Sequence, residues 1–235
     1  TDAWYQTALH VELQRLTGKE VSGGSVDIYK CFDQINRELL EKMAIEAGMP
    51  KRVAEPYIKY INDLDIRYQA GVNIGKPHRD RCAIPQGCPF PMTMVALLML
   101  PWIKIMRDIE VEPRVLADDL MFTAWGKHHD TKTVDAMEAS KKYFHDIGAK
   151  IADKKCFTFS TEAATRKYIK DMIWDDKGTT IPNVNTFRDL GAHLNLHNNT
   201  HAPTVTKRFH KASEMAQRLR HMNLTRDKKL PLIHI

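Results

Sequence analysis

A chain of 235 residues, 43% hydrophobic and 27% charged, has room for one large domain, or for one domain and pieces of a second. Its 35 Lys and Arg against 29 Asp and Glu leave a net charge of +6, a balance that suits a nucleic-acid partner without demanding one. The four cysteines (Cys31, Cys82, Cys88, Cys156) form no CxxC pair, which excludes a disulfide scaffold and reads as reduced thiols in an intracellular protein, cytoplasmic or nuclear. No membrane partner is expected, because the longest apolar stretch, Met92 to Met106, is broken by Pro101 and Lys104 and is too short to span a bilayer. The chain opens on Thr1 without a signal peptide, which reads as an excised fragment.

Trp4 to Leu16 carries apolar positions at helical spacing, ended by Thr17-Gly18-Lys19. Val21 to Tyr29 reads as a strand, and helices are predicted over roughly Asn36 to Ala47 and Lys51 to Ile61, with Gly48-Met49-Pro50 as the break. Ile66 to Ile74 is predicted to be extended, and Gly75-Lys76-Pro77 to turn. After Pro85-Gln86-Gly87 a long apolar helix is expected to run to about Arg107. Val115 to Phe122 then reads as two short strands folded back on each other, with Asp118-Asp119 at the turn. Helical periodicity returns over Thr131 to Ile147, strands are predicted at Ala149 to Phe159, Lys167 to Trp174 and Phe187 to Leu194, and Asp175 to Gly178 reads as a turn. Thr206 to Met222 is a basic helix candidate. This mixed order predicts an α+β fold, a sheet covered by helices on one face.

The anomaly in that order is the pair Asp118-Asp119. A lone Asp-Asp is most often an exposed turn, and Asp175-Asp176 before Gly178 is read that way. Here the flanks, Val115-Leu116 and Leu120-Met121-Phe122, are apolar, so the turn would hold both carboxylates at the edge of a buried sheet. Asp27 stands at the end of the strand that begins near Val21, and if that strand lies beside the hairpin, three carboxylates face one another. Their repulsion calls for divalent cations, and oxygen ligands without His or Cys favour Mg²⁺. Two such ions can activate a 3′-hydroxyl and stabilise a leaving pyrophosphate.

Five motifs in order then point to one family. Asp27-Ile28-Tyr29-Lys30-Cys31-Phe32-Asp33 resembles the first palm motif of reverse transcriptases, Asp-x-x-x-(Ala/Cys)-(Phe/Tyr)-Asp. Ile84-Pro85-Gln86-Gly87-Cys88-Pro89 resembles their Pro-Gln-Gly motif, and Leu116-Ala117-Asp118-Asp119 their aromatic-x-Asp-Asp motif. Gly148 to Lys155 is similar to the fourth motif, and Phe187 to Gly191 to the Phe-x-x-Leu-Gly turn before the thumb. The pattern is nearest to the branch of non-long-terminal-repeat retrotransposons and group II introns, where the first motif carries the second aspartate, here Asp33.

The resemblance implies an RNA-directed DNA polymerase of a retroelement with a right-hand palm, extending a primer 3′-hydroxyl with deoxynucleoside triphosphates. Asp27, Asp118 and Asp119 would be catalytic and, with Ile28, would hold two Mg²⁺ ions, Mn²⁺ being an alternative. Phe32, Gln86, Lys150 and Lys154 would meet the incoming nucleotide, Phe32 by leaving no room for a 2′-hydroxyl, with Lys155 a third lysine candidate near the pyrophosphate. Gly87, Gly191, Lys207 and Arg208 would meet RNA template and DNA primer. Lys211, Arg218 and Arg220 add to the basic tail, which on its own reads as a solvated helix face. The implied division is partial fingers and an entry helix over 1–22, the palm over 23–202 with a fingers insertion at about 37–83, and the start of a thumb over 203–235. Upstream fingers and further domains of a parent polyprotein would lie outside the chain.

Leu116 departs from the aromatic usual before the Asp-Asp pair, and Pro91 stands where the family commonly has a second serine. These two departures support the alternative of a catalytically inactive, reverse-transcriptase-like scaffold that binds RNA; the three retained aspartates oppose it. A metal-dependent phosphohydrolase on another fold would explain the carboxylates but not Pro85-Gln86-Gly87 or Phe32. His193, His197 and His201 alternate on a strand-like segment, where the first two would stand about 13 Å apart, too far to share one ion.

Overall fold

The computed structural model describes residues 2–85, 87–170, 180–189, 192–196 and 203–221, with the side chains of 2–4, 189, 192–193, 203–205 and 219–221 undescribed. It divides into two compact units, residues 9–184 and residues 1–8 with 185–235. In chain order the elements are helix α1 (Asp2–Leu16), strand β1 (Val21–Asp27), helices α2 (Arg37–Glu46) and α3 (Lys51–Asp63), strands β2 (Gln69–Ala70) and β3 (Asn73–Ile74), helix α4 (Pro91–Asp108), strands β4 (Glu112–Leu116) and β5 (Asp119–Trp125), helix α5 (His129–Asp146), strand β6 (Phe157–Ser160), helix α6 (Ala163–Lys170), strands β7 (Thr186–Asp189) and β8 (Ala192–Asn195), and helix α7 (Pro203–His221).

The larger unit is built on a four-stranded sheet in the order β4-β5-β1-β6. All three pairings are antiparallel, with β1 running from Val21↔Trp125 to Asp27↔Asp119 against β5 and from Ser22↔Ser160 to Ser25↔Phe157 against β6. β1 has the sequence Val21-Ser22-Gly23-Gly24-Ser25-Val26-Asp27, whose two glycines weaken strand preference. The strand forms because packing requires its glycines. A Cβ on Gly23 would stand 2.2 Å from the Phe122 carbonyl oxygen, and one on Gly24 2.6 Å from Met137 Sδ and 2.9 Å from Phe122 Cζ. Only bare backbone lets β5 and α5 approach this closely.

Behind the sheet, α4 and α5 close a core of Met94, Met99, Trp102, Met106, Phe122, Met137 and Phe144. The buried polar atoms there are paired: Trp102 Nε1 donates to Ser140 Oγ (2.9 Å), and Ser22 Oγ lies 2.6 Å from Thr133 Oγ1. α2 starts where Asn36 Oδ1 accepts from the amides of Glu38 (2.9 Å) and Leu39 (3.1 Å), and α4 starts on Pro91, a residue suited to a first turn. Among the described residues no helix is long and apolar enough to cross a membrane.

Four strand readings change. Ile66 to Ile74 is not one extended run but the β2–β3 hairpin, turned at Gly71-Val72, where Gly71 supplies φ +62°. Ala149 to Phe159 is interrupted by a 3₁₀ turn at Asp153–Lys155, leaving β6 shorter. Lys167, expected to open a strand, lies in α6, whose buried residues Thr165 and Ile169 stand one helical turn apart; residues 171–174 lie outside the described residues, as does the expected turn at Asp175 to Gly178. Phe187 to Leu194 is two strands, β7 paired antiparallel with β8 through Phe187↔Leu194. His193 lies in β8, and His197 and His201 lie outside the described residues.

Candidate functional site

The β4–β5 hairpin closes on a two-residue turn, Ala117-Asp118, between paired Leu116 and Asp119. Asp119 is thus the first residue of β5 rather than part of the turn. Ala117 takes φ +56°, a conformation that costs a residue with a Cβ about 1 kcal/mol. Strain of this kind persists only where the surroundings hold it. Here it fixes Asp118 at the tip, one residue from the point where Asp119 faces Asp27 across the strands. Directly opposed residues of antiparallel strands stand about 4.5–5.5 Å apart at Cα, so Asp27 and Asp119 are neighbours by register alone.

Electrostatics follow from that geometry. The Asp119 carboxyl still reaches solvent but is raised above the usual carboxylate range, first by partial desolvation at the sheet edge and then by the charges of Asp118 and Asp27, while Lys155 pulls the other way. Burial, reinforced by the same two aspartates, pushes the Cys31 thiol up to about 12, so that thiol is a neutral packing group. Lys155 Nζ lies 3.2 Å from both carboxylate oxygens of Asp27. The Asp27 amide points at Cys156 Sγ (3.4 Å), and the Asp27 carbonyl accepts from the Ala152 amide (2.8 Å), so Asp27 is tied to the 150–156 segment from three directions.

One residue further on, Ile28 bridges to Ile151 and the Tyr29 amide donates to the Lys150 carbonyl (2.9 Å). Ile28 has an apolar side chain, so only its carbonyl oxygen could meet a cation. The ammonium groups of Lys30 and Lys150 lie 5.8 and 5.7 Å from the centre of the half-exposed Tyr29 ring. The three lysine candidates therefore separate: Lys155 reaches Asp27, Lys150 reaches Tyr29, and Lys154 is an exposed residue of the 3₁₀ turn. Tyr29 carries no sequence signal that sets it apart from the variable positions of its motif.

A second wall is laced beside this edge. Phe32 packs half-buried against the core and its carbonyl accepts from the Ile84 amide (2.9 Å), while the Ala83 amide donates to the Ile35 carbonyl (3.0 Å). Arg37, 4% exposed, donates to the carbonyls of Asp80 (2.7 Å) and Ala83 (2.8 Å) and to Asn62 Oδ1 (3.2 Å). Sequence reading passed over Arg37, because an arginine two residues into a helix looks solvated. Gly87 has φ +90° and open space where a Cβ would be. Gln86 and Gly191 lie outside the described residues, and Lys207 and Arg208 are exposed on α7, in the other unit.

Among the described residues no group of three or more His, Cys, Asp or Glu side chains is arranged to hold a metal ion. The expected convergence is met by an ammonium instead: Lys155 sits on Asp27, and Asp118 and Asp119 are exposed. The chemistry of the donor set nevertheless fits a hard divalent cation. Three carboxylates share one edge, and their mutual repulsion is already visible in the raised Asp119 carboxyl.

Residues 5–194 match the family described as Reverse transcriptase (RNA-dependent DNA polymerase). The chain belongs to the reverse transcriptase family. Among solved structures it is similar to telomerase from Candida tropicalis in complex with a fragment of telomeric RNA, at 14% identity and a TM-score of 0.58, over 83% of this chain and 31% of that one. It is also similar to apo telomerase from Candida tropicalis truncated from its C-terminal domain, at 13% identity and a TM-score of 0.52, over 83% and 38%. At such identities these likenesses speak for the fold, which is that of a polymerase palm. The chain spans about a third of the length of these neighbours. No curated protein matches it. The family is one of nucleic-acid polymerases that use divalent metal ions.

Proposed function

We propose that this reverse transcriptase domain is an RNA-directed DNA polymerase of a retroelement, adding deoxynucleotides to a primer 3′-hydroxyl on an RNA template. The observation that carries this reading is the register that sets Asp27 opposite Asp119 beside the strained Ala117-Asp118 turn. Asp27, Asp118 and Asp119, with the Ile28 carbonyl, would hold the two Mg²⁺ or Mn²⁺ ions. Bound there, divalent cations lower the pKa of an attacking hydroxyl and offset charge on the leaving pyrophosphate.

The chain's own residues do the rest. Lys155 balances the charge of Asp27, and released from it would face the polyphosphate. Lys150 and Lys154 lie on the same segment as further cations for that group. Phe32, five residues after Asp27 and half-buried against the core, would exclude a 2′-hydroxyl by its ring. Gln86 would contact the incoming nucleotide, Gly87 would admit the template backbone, and Gly191, Lys207 and Arg208 would touch the template–primer duplex. Residues 23–202 act as palm with a fingers insertion at about 37–83, residues 1–22 as partial fingers, and 203–235 as the start of a thumb. The assignment to a retroelement, nearest the non-long-terminal-repeat and group II intron branch, and to a longer polyprotein rests on the motifs.

The Lys155–Asp27 ion pair and the 47% exposed Leu116 favour a second reading, an inactive RNA-binding scaffold in which an ammonium has replaced the cations. Primer extension on poly(rA)–oligo(dT) with Mg²⁺ and dTTP separates the two. Extension is expected from the parent chain and not from an Asp118→Asn variant with an unchanged circular dichroism spectrum; equal extension by that variant overturns the metal assignment. Extension by neither, with no rise in Tm on adding Mg²⁺, supports the scaffold.

A further inference from the structure

The β2–β3 hairpin stands out from the rest of the larger unit because none of the described residues covers it. Every residue from Arg67 to Pro77 is exposed, including Tyr68 (74%), Val72 (94%) and Ile74 (64%). A two-stranded hairpin bare on both faces is marginal in water, and its open edges invite a partner. This one is nonetheless anchored at its base. Ile66 and His78 exchange backbone hydrogen bonds (2.8 and 2.9 Å), Arg79 Nε donates to Asp65 Oδ1 (2.7 Å), and Arg37 grips the carbonyls of Asp80 and Ala83.

Its chemistry selects the partner. The Tyr68 ring lies nearly parallel to the His78 ring, at 22° with centroids 5.0 Å apart, so one face is held and the other is open to solvent. That is a stacking platform set before any partner arrives. Arg79 is committed to Asp63 and Asp65, which leaves Arg67, Lys76 and Arg81 as the exposed cations of the same segment. Arg67 precedes Tyr68, and Lys76 follows Gly75, whose amide donates to the Tyr68 carbonyl (2.8 Å), so a cation stands within a residue of the platform on each arm of the hairpin. A duplex hides its base faces from an aromatic platform. A single strand can stack a base on Tyr68 and bring its phosphates to the cations.

We propose that the β2–β3 hairpin is a docking strap for single-stranded RNA, with Tyr68 as its stacking residue. The inference deepens the polymerase reading, since the strap rises from the segment that leads into Pro85-Gln86-Gly87 and so meets the unpaired template there. Its test is independent of catalysis. Fluorescence anisotropy with labelled short oligo(U) RNA and with a blunt RNA duplex, without nucleotides, is measured on the full chain and on Tyr68→Ala and Tyr68→Phe. Tyr68→Ala is expected to weaken single-strand binding about 5- to 100-fold, the range for losing one base–aromatic stack, and Tyr68→Phe and all duplex affinities to change less than about twofold.

Lys76→Gln is expected to flatten the salt dependence for single strands by about 0.7 in the log–log slope. Unchanged single-strand affinity in Tyr68→Ala overturns the proposal, as does an equal loss for the duplex, which would mark a protein-wide defect or a duplex-binding surface. No single-strand binding by the parent chain overturns it as well. Primer extension is scored separately, so a strap that binds RNA in a chain that does not polymerise leaves this inference standing and removes the polymerase reading.

Discussion

Gly23 and Gly24 are flexible residues at the middle of the central strand, a position where flexibility weakens pairing. Their reason is space, and the space differs. A methyl at Gly23 meets the backbone oxygen of Phe122 at 2.2 Å, and Phe122 cannot move without breaking the β1–β5 ladder. A methyl at Gly24 meets Met137 Sδ and the rim of the Phe122 ring, both at the far ends of side chains. Overpacking a close-packed core costs about 1–3 kcal/mol. Gly23→Ala should fall at or above the upper end and Gly24→Ala near the lower, read as the difference in unfolding free energy in urea; equal costs would show that the Phe122 carbonyl yields. The same scale shows what was legible at the site. Asp118 and Asp119 are visible in sequence because two charges amid Val115, Leu116, Leu120 and Phe122 break a hydrophobic pattern. Arg37 and Tyr29 break no pattern, and their roles come from long-range contacts that no local window contains.

At the scale of elements, the helices were legible wherever a 3.6-residue apolar period ran between clear stops, as in α2, α4 and α5. Short strands were not. Two-residue strands such as β2 and β3 carry no period, and the turn glycine of their hairpin, Gly71, was overshadowed by the more obvious Gly75-Lys76-Pro77. Lys167 to Lys170 reads as strand because Tyr168 and Ile169 mimic one, whereas the pairing of Thr165 with Glu162 (2.6 Å) and burial of Ile169 belong to a helix. The contact that orders the insertion is equally non-local. Arg37 joins the first turn of α2 to residues 80–83, more than 40 positions away, and is buried with three hydrogen bonds to neutral oxygens. Hydrogen bonds to a charged group each contribute about 1.5–3 kcal/mol, and losing the donor leaves buried carbonyls unpaired. Arg37→Met is therefore expected to destabilise by about 3 kcal/mol, and to do so locally first. Limited proteolysis should open the 64–83 segment well before global unfolding. Cleavage and Tm identical to the parent would show that these carbonyls find other partners.

For the whole molecule the informative quantity is charge. An excess of six positive charges is modest for a chain proposed to hold a nucleic-acid duplex, so its placement matters more than its size. α7 concentrates Lys207, Arg208, Lys211 and Arg218 on exposed positions of one helix, whereas the carboxylates of the candidate site gather at one edge of the sheet in the other unit. A helix exposed along nearly all of its described length is either a solvated surface or a surface for a polyanion, and salt distinguishes the two. Each phosphate neutralised by a lysine or arginine releases condensed counterions and steepens the log–log dependence of affinity on salt by about 0.9 for a duplex. Replacing Lys207, Lys211 and Arg218 together by Gln should flatten that slope by about 2.7 for an RNA–DNA duplex, to the same extent whatever its sequence, because backbone contacts carry no base information. The Tyr68 strap should respond in the opposite manner, with Tyr68→Ala changing affinity for single strands but not the slope. A triple variant whose salt dependence matches the parent would assign α7 to solvent and leave the basic excess of the chain to the hairpin and the lysines around Asp27.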